Sequence, residues 1–422
     1  MRLGLSCWQK NGRNISSRSA DATPHHFYHN ALRVRNRENS GTRLRFTSAV
    51  AVGLTVALAG VGMPGLASGA VPVQLRVTTY AACNGGDDTA GLKTALGALH
   101  AGDTLVIPAG VTCRHSTVLK IGTAGVRVTG PGTLLATDES QAGLWVNANN
   151  VTVDGGLVLR THATQRWTTP NQTLLVIQKG MSGSVIRNVT SDGSGGAGVI
   201  ILGAINFTLD RVTVMNSRAD GIHMTAGAHN GTITNAVVRG AGDDGISVVS
   251  YKSTAVPCHD IVVDSPQVFD NAFARGMTVI GGYNITYSNV YVQGSPSAAI
   301  LVSANTLWNT HPSHDVKVLT ATLVNSNTDS KVAHGALVVA SNTVDGIYNV
   351  AFKGITIKNT RVGAPADVQI LTFSGSPITN VSMDHVTVTG GPAKDFSTTV
   401  AGHYSLTNWV VNGKAVPNRI KP

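Results

Sequence analysis

Three aspartates fall in two matching frames of this sequence. SRADGIHMT (217–225) carries Asp220, and GAGDDGISVVS (240–250) carries Asp243 and Asp244. Both frames read Asp, Gly, Ile, any residue, apolar residue, and Asp220 precedes Asp243 by 23 positions. Carboxylates gathered on one surface repel, so one of them holds its proton to higher pH than the others. A protonated carboxyl beside an ionised one is the acid and base that cleavage of a glycosidic bond requires. The choice of acid is narrow, because Glu139 is the one glutamate after residue 46. The competing reading is structural, since aspartates also cap chain corners by accepting hydrogen bonds from main-chain amides. That reading suits Asp154, Asp210, Asp260, Asp315 and Asp384, which lie in or beside a repeating frame. Asp220, Asp243 and Asp244 differ in standing just before an apolar run.

The repeat is what must position them. From residue 150 onward a polar residue followed by apolar, any, apolar recurs: NVTV at 150, SVIR at 184, NFTL at 206, NGTI at 230, DIVV at 260, NITY at 284, DVKV at 315, NVAF at 349, NVSM at 380 and NWVV at 408. Spacings run from 22 to 34 residues, with second strand-like runs such as AGVIILG, RGMTVIG and GALVVAS between them. Coil-length recurrence of short strands predicts an all-β right-handed parallel β-helix, each turn burying its apolar side only against its neighbours. A β-sandwich would show two-residue hairpins and evenly spaced antiparallel strands instead. Gly and Asn are expected at the corners, where φ is positive. Stacked strands lie about 4.8 Å apart, which would bring the three carboxylates together on an outer face.

Outside the repeat, NGGDDTAGLKTALGALH (84–100) predicts a short capping helix with Asp87, Asp88 and Thr89 as N-cap candidates and Leu92, Ala95, Leu96 and Leu99 as its apolar face. Residues 403–422 are expected to cover the other end. Composition agrees with strands and turns: 47 glycines in 422 residues, 13% charged and 5% aromatic. The net charge of +10 does not argue for nucleic acid, because residues 1–46 hold nine Lys/Arg against Asp21 and Glu38, leaving +3 for the rest. That basic segment runs into TSAVAVGLTVALAGVGMPGLASGA, which reads as a secretory signal cleaved near residue 70. The expected organisation is therefore a leader over 1–70 and one β-helix domain over 71–422, a monomer that is secreted or associated with the cell wall, with no membrane anchor after signal removal. Cys7 would leave with the leader, Cys83 and Cys113 could pair, and Cys258 would be left over. No zinc-spaced cluster, phosphate loop or Ser–His arrangement appears, so no metal or cofactor is expected.

The fold pattern and these motifs resemble the pectin-degrading β-helix superfamily, and within it the polygalacturonase family of glycoside hydrolases. That family carries Asn-Thr-Asp, then Gly-Asp-Asp a coil later, then Gly-His-Gly, then Arg-Ile-Lys. Here SRADGIH keeps the first aspartate as Asp220, and GAGDDGI keeps Asp243 and Asp244. FARGMTVIGG places Arg275 where the histidine would be, and SAAILVSAN lacks both basic residues of the last motif. The resemblance implies inverting hydrolysis of a polysaccharide, with Asp244 protonating the leaving oxygen and Asp220 and Asp243 activating water, the reacting carboxyls being about 6.5–9.5 Å apart. The lost basic pair, which in that family sits where a substrate carboxylate would bind, implies a neutral or differently charged glycan.

His223, Arg275, Tyr251 and Lys252 are candidate substrate-binding residues, and Trp145, Trp167 and Trp308 could stack on sugar rings. Two other functions remain open: a β-helix polysaccharide lyase or uronate epimerase, for which Arg275 beside the aspartates is suggestive, and a non-catalytic glycan-binding surface protein.

Overall fold

The computed structural model describes residues 76–422 apart from Ala81 and Trp167. The leader, its cleavage point, Cys7 and Trp167 lie outside the described residues. Short strands stack in parallel, coil upon coil, into two sheets of 23 and 11 strands. The larger sheet forms two walls of the solenoid. In the later coils single twelve-residue strands, Gly282–Gln293, Ser313–Val324, Ile347–Lys358 and Ile378–Thr389, run through both walls. The third wall is the 11-stranded sheet, from Leu119–Ile121 to Phe396–Thr398, and it positions the candidate site.

The corners follow from residue type. The polar residue opening each repeat frame sits in the left-handed region: Asn150, Asn206, Asn230, Asp260, Asn284, Asp315, Asn349, Asn380 and Asn408 have φ between 51° and 57°. In the SVIR frame Gly183 takes that conformation instead, with φ 74°. Asn and Asp tolerate it because their short polar side chains bond locally. Inside, one apolar cluster runs unbroken from Leu92 to Trp409, which is how coils too small to fold alone share a core.

Both ends are closed. The helix Thr89–Gly97 buries Leu92 and Leu96 over the first coil. Asp88 occupies the N-cap position, but its carboxylate accepts from the Arg114 N–H (3.0 Å), and the helical N–H of Thr89 is satisfied by Asp87 Oδ1 (2.9 Å). Cys83 and Cys113 form a disulfide that ties the segment before the helix to the solenoid, and Cys258 is a buried free thiol. At the other end the chain reverses: Trp409–Val411 pairs antiparallel with Lys414–Val416, and Tyr404–Thr407 with Arg419–Lys421. The reversal breaks the parallel template and covers its open edge. Among the described residues no helix is long and apolar enough to cross a membrane.

Candidate active site

Each Asp-Gly-Ile frame enters a strand of the 11-stranded sheet. Ile222 and Met224 of one strand, and Ile246 and Val248 of the next, point into the core. His223 and Ser247 between them therefore face outward. A Cβ on Gly221 would lie 2.4 Å from the Gly245 carbonyl oxygen and 2.5 Å from Val238 Cγ1; one on Gly245 would lie 2.6 Å from the Gly276 carbonyl and 2.5 Å from Val268 Cγ1. Only glycine fits, and the chain pinned there presents the preceding residue to the outer rim. Ile222 pairs with Ile246 and Ile246 with Met277, so Asp220, Asp244 and Arg275 hold equivalent positions on three successive coils, with Asp243 one residue earlier. One carboxylate oxygen from each of the three aspartates lies within 4.8 Å of the other two.

Each acid has its own partners. Asp220 Oδ2 accepts from Ser247 Oγ (2.7 Å) and meets His223 Nδ1 at 2.5 Å. Asp244 Oδ1 accepts from the Arg275 main-chain N–H (3.1 Å) and lies 2.9 Å from Arg275 Nε; Oδ2 accepts from Thr278 Oγ1 (2.9 Å) and Arg275 Nη2 (3.1 Å). Asp243 Oδ2 accepts from Arg166 Nη2 at 2.7 Å. Arg166 belongs to the segment between the strands Val158–Arg160 and Leu175–Ile177, and Arg218 ties that segment down by donating from Nε and Nη2 to the Ala163 carbonyl (3.0 and 2.9 Å).

These surroundings separate the acids in titration. Burial pushes the Asp244 carboxyl up, and although Arg275 opposes this, the charges of Asp243 and Asp220 add to it, leaving a pKa of about 7. Burial acts on Asp220 in the same sense, but the charge and hydrogen bond of His223 and the Ser247 hydroxyl outweigh it and hold that carboxyl below its ordinary value. Near neutral pH the pair thus comprises one acid able to donate a proton and one base able to take one. The guanidinium groups of Arg166 and Arg275 supply positive charge where a cation bound between the carboxylates would otherwise do so.

The bonds to His223, Arg275 and Arg166 hold each acid where coil stacking puts it.

Of the other candidates, His223 and Arg275 join the acids. Tyr251 and Lys252 do not: they follow the C-terminal end of Ile246–Val249, whereas the acids precede its N-terminal end. Lys252 forms an ion pair with Asp345 there. Trp145 lies on the outer face in an earlier coil, packed with Val176, Ala197 and Ile200, and Trp308 stands on a later loop. Arg166, Ser247 and Thr278 belong to the site without having been singled out in the sequence. Ser247 and Thr278 left a signal, as polar residues at outward positions of otherwise apolar strands. Arg166 left none, because it lies 77 residues from its partner in an irregular segment.

The architecture is that of a parallel β-helix with an acid cluster on its outer face. A family model described as a right-handed β-helix region matches residues 167–311. No curated protein matches the sequence. Among solved structures, the chain is similar to a polygalacturonase from Erwinia carotovora ssp. carotovora (TM-score 0.60, 15% identity, covering 80% of this chain and 98% of that one). It is similar to the A-module of a mannuronan C-5 epimerase from Azotobacter vinelandii (0.55, 17%, 75% and 96%). It is also similar to the catalytic domain of a GH87 α-1,3-glucanase in complex with nigerose (0.58, 15%, 79% and 70%). Three structures of that glucanase domain each carry alanine in place of one aspartate, and those aspartates are spaced by 23 and 1 residues, as are Asp220, Asp243 and Asp244. These likenesses are of fold, that of a right-handed parallel β-helix.

Proposed function

We propose that the protein is an exported glycoside hydrolase that cleaves a neutral polysaccharide by aspartate acid/base chemistry. Asp244 protonates the leaving oxygen, and Asp220, steadied by His223 and Ser247, draws the proton from water with Asp243 beside it. The observation that carries this reading is the rank of three carboxylates on adjacent coils, with the Asp244 carboxyl raised to about 7 and the Asp220 carboxyl held low by their separate surroundings. Environments that push two titratable groups apart assign the acid and the base. The aspartate spacing matches that of the three positions replaced by alanine in the sugar complexes of the α-1,3-glucanase. A neutral substrate is favoured because both guanidinium groups at the site face aspartates rather than open space for a uronate. The leader sequence supports export.

Incubation with a panel of plant, fungal and bacterial cell-wall glycans, followed by reducing-end detection, tests the activity. The expected result is release of reducing ends from a neutral glucan by the wild type and none by Asp244→Asn. Full activity in Asp220→Asn, Asp243→Asn and Asp244→Asn would remove the assignment. The anomer released, read by NMR at early times, decides between inversion and retention.

A lyase or epimerase is the second reading, favoured by Arg275 against Asp244 and by the likeness to the epimerase module. It predicts unsaturated products absorbing in the ultraviolet, or a changed uronate ratio without chain cleavage. Unaltered glycan binding by the three Asn variants with no turnover of any glycan would instead mark a non-catalytic glycan-binding protein.

A further inference from the structure

The N-terminal rim of the 11-stranded sheet is uneven. Six residues, 240–245 and 294–299, lead into the strands Ile246–Val249 and Ile300–Ala304. The loop between these two, 270–276, has seven and carries Arg275. Two longer loops bound this stretch of rim, 161–174 before it and 325–336 after it. Both lean inward. Arg166 of the first reaches Asp243, and Arg218 holds that loop down at the Ala163 carbonyl. The second lies on the 294–299 turn. The main-chain N–H groups of Asn327, Thr328 and Asp329 donate to the carbonyls of Ser297, Ser295 and Pro296 (2.9, 3.1 and 3.0 Å), and His334 Nδ1 meets Ser297 Oγ at 2.7 Å. Asp243 and Ser297, where the two arms end, hold equivalent positions two coils apart, an interval of about 10 Å.

The 270–276 loop is the floor between the arms, and it is pinned on both sides. Ala272 N–H donates to the Ala241 carbonyl (2.8 Å), and Ser297 N–H donates to the Ala274 carbonyl (2.8 Å). Asn271 Nδ2 donates to the carbonyls of Asp243 (3.2 Å) and Arg275 (2.7 Å). Ala274 takes φ 64°, which is disfavoured for a residue carrying a Cβ. The loop so held buries Asn271 and Ala274 and leaves Phe273 37% exposed. Phe273 is two residues from Arg275, at most about 7 Å along the chain, and Arg275 holds Asp244 through its main-chain N–H and its guanidinium.

We propose that Phe273 is the aromatic platform of the acid site, taking the C–H face of one neutral hexopyranose next to the bond that Asp244 protonates; this deepens the hydrolase reading above and rests on it. Single exposed apolar side chains are common on any surface. Phe273 is set apart by its place: on a pinned loop, between two inward-leaning arms, beside the acid. A pyranose presents C–H groups on its face and hydroxyls at its edge, and an aromatic ring complements the face. An interval of about 10 Å suits one sugar ring and not a protein partner, which needs about 800 Å². Burial and the Arg275 charge push the His334 imidazole down to about 4, so that arm presents a neutral ring near neutral pH. A loop ordered before binding loses little entropy when a sugar arrives.

The test is calorimetry with neutral gluco-oligosaccharides of two to six units, and oligogalacturonides as the contrast, on the full chain and, to suppress turnover, on Asp244→Asn. Phe273→Ala and Phe273→Leu are each expected to weaken neutral oligosaccharide binding about tenfold, and Phe273→Trp to keep it within about threefold. Leucine keeps the apolar bulk, so it would rescue a merely structural role, whereas only an aromatic ring rescues a platform. On polymer, the Ala and Leu variants are expected to raise KM about tenfold and leave kcat within about twofold. Thermal melting checks that Phe273→Ala is folded, and Phe273→Leu carries the test if it is not. Wild-type binding and KM in Phe273→Leu would overturn the platform even if Asp244→Asn abolishes hydrolysis. Ring-dependent binding with no hydrolysis by any form would keep the platform and remove the hydrolase reading. Failure of the wild type to bind any neutral oligosaccharide, or preference for oligogalacturonides, would also overturn it.

Discussion

The aspartates of the repeat corners and Asp244 of the outer rim have the same side chain and the same coil stacking, yet they titrate in opposite directions. Asp384, at a corner, is held to about 2 by hydrogen bonds from Asn408, His385 and Thr407. Asp315 is held low by His314 and Asn349, and Asp260 by Asn284 and His259. Their donors sit on the same or the next coil, and water reaches them. Asp244, 3% exposed and flanked by two more carboxylates, is pushed up to about 7. Stacking alone therefore makes an acid ladder structural. Burial combined with like charge raises a carboxyl instead, at Asp244 and again at Asp367 beside Asp395, both at the entry to a strand of the 11-stranded sheet.

The contrast is also visible in aromatic residues. His229, His259, Tyr283, His314 and Tyr348 stack along a corner of the larger sheet with ring centroids 4.5–5.0 Å apart. Their faces are spent on one another.

The sharpest way to break the comparison is to exchange charge at both places. Asp244→Asn and Asp220→Asn are each expected to lower hydrolysis by about 10²–10⁴-fold, while Asp315→Asn stays within about twofold, in a reducing-end assay on the best glycan of the panel. Equal losses at the corner and the rim would show that the two sets do not differ in role. Gly245→Ala places a methyl against the Gly276 carbonyl and Val268, so a loss of about 1–3 kcal/mol in denaturant unfolding is expected, with activity falling alongside as Asp244 moves. Wild-type stability there would contradict the close coil contact.

Arg166→Gln removes a positive charge facing all three acids. The Asp220 and Asp244 carboxyls should rise, moving both limbs of the pH–rate profile to higher pH with a rate loss of about tenfold at neutral pH. An unmoved profile would limit Arg166 to holding its own segment. Stability sharpens the same point. A carboxyl raised in the folded state binds a proton that the unfolded chain has lost, so Asp244 costs stability increasingly as pH rises from about 4 towards 7. Asp244→Asn should then melt higher than wild type at pH 8, with the advantage shrinking towards pH 4. For Asp315 the folded pKa is lowered, so its contribution is present above about pH 4 and fades below it. Being exposed, Asp315→Asn should change stability by no more than about 0.5 kcal/mol at pH 7 and only flatten the acid limb.

Much of this was legible in the residues. The polar-apolar-any-apolar frame marked the corners one by one, because Asn, Asp and Gly are the residues that accept positive φ. Asp-Gly-Ile marked the rim, because glycine is the residue that fits beneath the next coil. The sequence offered Asp87, Asp88 and Thr89 as caps without choosing among them, and the Cys83–Cys113 pair as a possibility that the structure bears out. Arg166 was not legible, since an irregular segment has no period that says where it returns. Nor was the separation of Tyr251 and Lys252 from the acids, because a strand only four residues long still puts its two ends at different sites.

What the order of amino acids determined unaided is the solenoid itself: a repeating pattern of turn formers and inward apolar residues has one economical way to bury its core, and each coil needs only its neighbours to find it. Only the tertiary structure decided the chemistry. The register of one coil on the next, set by glycine contacts and packing across the interior, aligned Asp220 with Asp244 and Arg275 rather than with Asp243. Burial then altered their affinities for protons, and neither register nor burial is a property of any single stretch of chain.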